Sequence, residues 1–283
     1  MPPAASSLAR SRIGRGVHSA RPTRSPLHSG VEGEKMRGLI ATVGLALGLI
    51  AGGLATPVLA EPGDVATLRT QLAAGYFKRG QYGVAIDEAN RAITANPRYA
   101  EAYNVLGLIY AELKEDQKAR DNFQKALTLS PDNPNINHNY GWFLCDRGQY
   151  DEGILYYLNA LKDKLYTTPD KTLVNAGQCA FQAGKMTAAQ DYFERALAYR
   201  QDNLQARLWL VELGLKKGDP VLAKQNYAEL QKRLPESAES LWLGVRVERM
   251  AGNKAVESRM AAKLRNQFPE SVETTKLLNG KYD

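Results

Sequence analysis

Across residues 66–271 apolar and small residues recur three and four positions apart, with polar residues between them. That spacing predicts amphipathic helices, each burying one face. The helical pattern is itself periodic. Leu106, Gly107 and Tyr110 are followed by Ala119, Phe123 and Ala126, and Pro131 closes the set. Leu72, Ala73, Tyr76, Ala85, Ala92 and Pro97 form the same set one period earlier. Tyr140, Gly141, Leu144, Gly153, Tyr157 and Ala160 make a third set, and Ala176, Gly177, Ala180, Ala189, Phe193 and Ala196 a fourth. Each set predicts two helices. A small residue in the first helix (A) lets the second (B) approach, a small residue in B does the reverse, and a proline ends the unit.

The prolines time the repeat. Pro97 and Pro131 differ by 34 in position, as do Pro235 and Pro269, and the gap of 104 between the two pairs is three periods plus two. The two extra residues fall in the exit of the third set, at Lys162 to Thr168. A helix–turn–helix period of about 34 residues is the signature of tetratricopeptide repeats. The expected fold is therefore all-α, a superhelix (α-solenoid) of six repeats at 66–99, 100–133, 134–169, 170–203, 204–237 and 238–271. The fifth keeps Leu210, Ala223, Tyr227 and Pro235, and the sixth Leu241, Ala261, Leu264 and Pro269. Residues 272–283 read as a short solvating end of one or two helical turns, because a terminal repeat needs a polar outer face.

Residues 1–60 stand apart from this pattern. Residues 1–35 are rich in Arg, Ser and Pro and have no apolar periodicity, so they read as an extension that builds no core. Arg37, the apolar run Leu39 to Leu54 and the small residues up to Ala60 read as a signal peptide over 36–60, cut after Ala60. Met36 is the expected true start, since Glu32-Gly33-Glu34-Lys35 has the purine-rich codons of a ribosome-binding site. The competing reading is a basic cytoplasmic tail ahead of an uncleaved anchor. Four glycines interrupt the Leu39–Leu54 run, which is marginal in length for a membrane span.

Charge follows the same division. The chain carries a formal +7, but seven Lys and Arg against two Glu give residues 1–60 a share of +5. Residues 61–283 hold 30 basic against 28 acidic side chains, with no basic stripe for nucleic acid. His138 is the one histidine after Ala60, and no Cys/His set has metal-ligand spacing. Phosphate loops and nucleophile elbows are absent, so no catalytic residue, cofactor or small-molecule substrate is expected. Cys145 and Cys179 fall late in the A helices of consecutive repeats. An exported chain favours a disulfide between them, and two buried free thiols remain the alternative.

In such stacks the inner wall is lined by A-helix positions 2, 5, 9, 12 and 13. Applied to this chain, the apolar positions are Phe77, Leu108, Trp142, Val174, Phe181, Leu208, Leu215 and Trp242. Asn104, His138 and Gln178 are polar members of the same wall, with Glu112, Asn135, Asp146 and Lys171. Apolar residues exposed on such a wall mark a protein-binding surface, with Trp142 and Trp242 as its candidate anchors.

The run N-H-N-Y-G-W-F-L-C at 137–145, with L-Y-T-T-P at 165–169 and N-A-G-Q-C-A at 175–180, goes beyond the general repeat pattern. With Y-G-V-A-I-D-E-A-N-R-A at 82–92, it closely resembles the PilF/PilW family of type IV pilus biogenesis proteins. The resemblance covers residues 66–283 and implies a six-repeat protein of the periplasm that acts as a pilotin. Such a protein assists multimerisation and outer-membrane localisation of the pilus secretin, which the resemblance makes the expected partner. It also implies that Cys145 and Cys179 match the family's bridged pair. Family members are lipoproteins, whereas Gly53 stands here where the lipidated cysteine would be, after Ile50-Ala51-Gly52, and no cysteine precedes Cys145. The expectation is a periplasmic protein at the inner face of the outer membrane, touching membrane only through its partner or an uncleaved signal. The alternative function is an adaptor for another envelope machine, such as polysaccharide export or outer-membrane protein assembly.

Overall fold

The computed structural model describes residues 62–282, which form thirteen helices. The signal and extension expected over 1–60 lie outside the described residues. The helices come in antiparallel pairs, one per repeat. They are α1 (Pro62–Lys78) with α2 (Tyr82–Ala95), α3 (Ala100–Glu112) with α4 (Asp116–Leu129), and α5 (Pro134–Asp146) with α6 (Tyr150–Ala160). Then come α7 (Pro169–Gln182) with α8 (Met186–Tyr199), α9 (Leu204–Lys217) with α10 (Pro220–Gln231), and α11 (Ala238–Met250) with α12 (Lys254–Gln267). The closing helix α13 (Val272–Leu278) packs on α11 and α12. The first helix opens at Pro62, one helical turn ahead of the sequence boundary at 66.

Each turn from the first helix of a pair to the second is made by one residue with a left-handed backbone. These are Gly80, Lys114, Gly148, Gly184, Gly218 and Gly252, at φ between 62 and 77°. Glycine takes that conformation without a Cβ clash, and among the described residues Lys114 is the single side chain held there. These residues keep better time than the prolines, stepping by 34, 34, 36, 34 and 34. The extra two residues thus lie between Gly148 and Gly184.

The delay has a visible cause. Helix α6 runs for 11 residues where α2, α4 and α8 run for 14, and residues 161–168 replace the last turn. Asp163 anchors this loop: its side chain accepts from the Leu165 amide at 2.8 Å and its carbonyl from the Tyr166 amide at 3.2 Å. Side-chain capture of nearby amides competes with helix continuation. Pro169 then opens α7, its fixed φ suiting the first turn.

Packing within the second, third and fourth pairs turns on a glycine in the first helix against an aromatic ring in the second. A Cβ on Gly107 would sit 2.8 Å from the Phe123 ring, and one on Gly177 2.5 Å from that of Phe193. Gly141 faces both Gly153 and Tyr157, so α5 and α6 approach backbone to backbone. Phe123 in turn packs against Tyr140 and Phe143 of the next pair, with ring centroids 5.5 and 5.6 Å away. All three are fully buried, and burying each such ring contributes about 2–3 kcal/mol. The core is therefore a string of clusters shared by neighbouring repeats, the last one shared by the sixth repeat and α13.

Candidate partner-binding wall

The first helices of successive pairs touch, so α1, α3, α5, α7, α9 and α11 form one continuous wall. Side chains of the run at 137–145 divide the work of building its middle. Asn137 is buried and donates to the carbonyls of Pro131 at 2.7 Å and Asn133 at 2.9 Å, fixing the entry to α5. Asn139 donates to Asn104 Oδ1 at 3.1 Å, joining α5 to α3. His138 reaches the other way, with Nδ1 2.7 Å from Thr172 Oγ1 and Nε2 3.3 Å from Asn175 Nδ2, joining α5 to α7.

The network fixes the histidine tautomer. Asn175 Nδ2 can only donate, so Nε2 accepts and Nδ1 carries the proton. Thr172 Oγ1 accepts that proton and lies in hydrogen-bond reach of the Tyr166 hydroxyl at 2.9 Å and of the Thr168 carbonyl at 3.4 Å. Burial, helped by the Lys171 charge, lowers the His138 pKa from 6.5 to about 4. The ring is neutral at pH 7 and edges onto Tyr157 at 5.4 Å. It is a structural link between two repeats.

Cys145 and Cys179 are joined as a disulfide, with Cα atoms 5.7 Å apart. The pair is buried beside Tyr157 and Ala176, and the half-buried Trp142 packs against this cluster and against that of Phe143. A cross-link closing a loop of sequence separation 34 contributes about 4 kcal/mol on the loop-entropy account. It joins the C-terminal part of α5 to that of α7.

The remaining wall positions separate into open and closed. Phe77 and Leu108 are half-buried against the clusters of Ala73 and Phe123, and Gln178 is half-buried. Phe181 packs on Trp209 at 5.4 Å, and Leu208 and Leu215 lie partly exposed over the Val211 cluster. Three positions expected to be open are closed. Asn104 is engaged by Asn139 and 8% exposed, and Val174 is 4% exposed. Trp242, expected as a second anchor, is 3% exposed, packed in the Leu241 cluster with Tyr282 stacked on it at 5.4 Å.

Asn139, Tyr166 and Asn175 lie in the runs that carry the family resemblance but not among the expected wall positions, and Thr172 lies in neither. A column of asparagines at 104, 139 and 175, one per wall helix, was the available signal. Tyr166 lies in the L-Y-T-T-P run at 165–169, and nothing in that run shows which side chain it meets. Among the described residues no group of His, Cys, Asp and Glu could hold a metal ion, and no helix is long and apolar enough to cross a membrane.

Tetratricopeptide-repeat family models match residues 70–134, 122–154 and 180–242. The type IV pilus assembly protein PilF of Pseudomonas aeruginosa is 27% identical over 236 residues, 83% of this chain and 93% of its own length. The crystal structure of PilW, described as a widely conserved type IV pilus biogenesis factor, superposes with a TM-score of 0.69 at 32% identity, over 76% of this chain and 98% of that one. The structure of Pseudomonas aeruginosa PilF gives a TM-score of 0.68 at 26% identity, over 78% of this chain and all of that one.

Proposed function

The chain belongs to the PilF/PilW family of type IV pilus biogenesis proteins, built from tetratricopeptide repeats, and from that premise we propose that it is a non-catalytic periplasmic scaffold for the pilus secretin. It holds secretin subunits while they multimerise, at the inner face of the outer membrane. The observation that carries this reading is the likeness to PilW over nearly the whole of that protein. The construction of the wall supports it. Cross-repeat links through Asn139, His138 and the disulfide hold α3, α5 and α7 in register, so little order has to be gained on binding. Trp142 lies half-buried among these links, a rigid aromatic positioned to anchor a partner segment.

Deleting the gene tests the reading: secretin multimers and twitching motility should be lost, and the wild-type chain should restore both. A strain complemented with Trp142→Ala should recover fewer multimers. The purified variant should keep its helicity while binding the secretin about 30-fold more weakly, the loss expected of an aromatic anchor. Normal secretin multimers in the deletion strain would remove the secretin from the proposal and leave the adaptor role in another envelope machine.

A further inference from the structure

The tail after α13 turns back onto the wall. Gly280, at φ 65°, reverses the chain, and the Lys281 amide donates to the Lys276 carbonyl at 2.9 Å. Tyr282 then lands on α11, against Trp242, Arg246 and Arg249, which share one face of that helix and occupy wall positions 5, 9 and 12 of the sixth repeat. Its ring stacks on the indole with an interplanar angle of 25°, and the Arg249 guanidinium lies 3.9 Å from the ring centroid. Its carbonyl accepts from Arg246 Nε at 3.0 Å. The two remaining nitrogens of Arg246 are held by both oxygens of Glu212 on α9, at 2.8 and 3.0 Å. The donor for the carbonyl is thus aimed by the neighbouring repeat.

The contacts use little that is particular to this tail. They take one aromatic ring and one main-chain carbonyl, while Asn279, Gly280 and Lys281 stay exposed. Any extended segment with an aromatic residue offers the same two groups. We propose that Trp242, Arg246 and Arg249 form a recognition seat for an aromatic residue in an extended segment of a protein partner. The chain's own Tyr282 is a plug that such a segment displaces. This rests on the reading that the wall holds a partner segment, and it names the chemistry of one subsite. A tethered plug competes at high effective concentration, so it lowers apparent affinity for anything added in trans. It also keeps the Trp242 indole covered until a partner arrives.

The test uses the full chain and a synthetic peptide spanning residues 277–282 (Leu-Leu-Asn-Gly-Lys-Tyr, amidated), titrated to millimolar concentration by NMR. Tyr282→Ala should bind the peptide saturably, with indole shifts at Trp242, and roughly tenfold or more tightly than the wild-type chain. Tyr282→Phe keeps the ring and should bind as weakly as wild type, and a peptide with alanine in place of its tyrosine should not bind. Equal binding by Tyr282→Ala and wild type, or none by either, would overturn the proposal. So would loss of helicity in Tyr282→Ala, which would make Tyr282 part of the fold. Tail-exchanged dimers of the wild-type chain in sedimentation would assign the seat to a second copy instead and overturn it too. None of these results alters the secretin test in the deletion strain.

Discussion

In the middle of the stack the first helix of each pair crosses its partner at a glycine, Gly141 or Gly177. At the C-terminal end the equivalent positions are Val211 and Val245. The second helix compensates. Tyr157 and Phe193 fill the space beside the glycines, whereas Val245 packs with Ala261. In the fifth repeat the close approach moves one turn along, to Gly214, where a Cβ would meet the Ala223 amide nitrogen at 2.7 Å. The end repeats thus reach the same pairing with the volumes redistributed, which is why their motif reads as degenerate.

The two regions also differ in what ties one repeat to the next. Repeats three and four are held by a disulfide, by His138 on Thr172 and by Tyr166 reaching back from the long loop. Repeats five and six are held by the shared Val211–Leu243 cluster, by the Tyr227 hydroxyl donating to the Ser240 carbonyl and by Arg246 on Glu212, while the tail lies on repeat six at Trp242. Covalent and buried links make the middle a fixed block. At the end no covalent link joins the repeats, and the tail rests on Trp242 through a stacked ring.

The largest test of this contrast is to remove the cross-link. Cys179→Ser, or reduction of the wild-type chain, should lower unfolding stability by about 4 kcal/mol in guanidinium titrations. Reduction should leave contacts at Trp242 unchanged in NMR spectra. A loss under about 1 kcal/mol, far below the loop-entropy expectation, would mean that packing alone fixes the middle of the stack.

Acid is the next lever. The folded protein holds the His138 pKa near 4 against 6.5 in the unfolded chain, so the unfolded state takes up the proton first as pH falls. The contribution is complete above pH 6.5 and is lost as pH drops towards 4, the loss reaching about 2 kcal/mol at pH 5 and about 3 kcal/mol below pH 4. Urea midpoints at pH 7.5 and 5 should therefore differ more for wild type than for His138→Asn. Equal pH sensitivity in the two would place the acid-labile group elsewhere.

The smallest effect concerns the glycine crossing itself. Gly177→Ala gains helix propensity of about 1 kcal/mol but drives a methyl into the Phe193 ring, where overpacking costs about 2 kcal/mol. A net loss of about 1 kcal/mol is expected in thermal melts. Val211→Ala in the fifth repeat should cost more, because it opens a cavity beside Tyr227. A reversed order would show that the two crossings are not equivalent.

Several of these features were legible in the chain. The repeat length, the pairing of helices and the extra two residues follow from the placing of Pro97, Pro131, Pro235 and Pro269. Sequence spacing left the state of Cys145 and Cys179 open, and the packing of α5 on α7 closed it. Identifying wall positions by offset placed Leu108, Leu208 and Leu215 where they lie partly exposed, but it misplaced Val174 and Trp242.

By itself the sequence determined the stack. Each repeat contacts chiefly its neighbours, so a local rule applied once per period is enough to specify helices, turns and their pairing. The tertiary structure alone decided which wall positions stay open. Exposure at Trp242 depends on Tyr282, in the tail beyond the last repeat, and the place of His138 depends on a threonine that Tyr166 helps to hold from the loop between repeats. Such contacts join segments outside the repeat register, and no periodicity carries them.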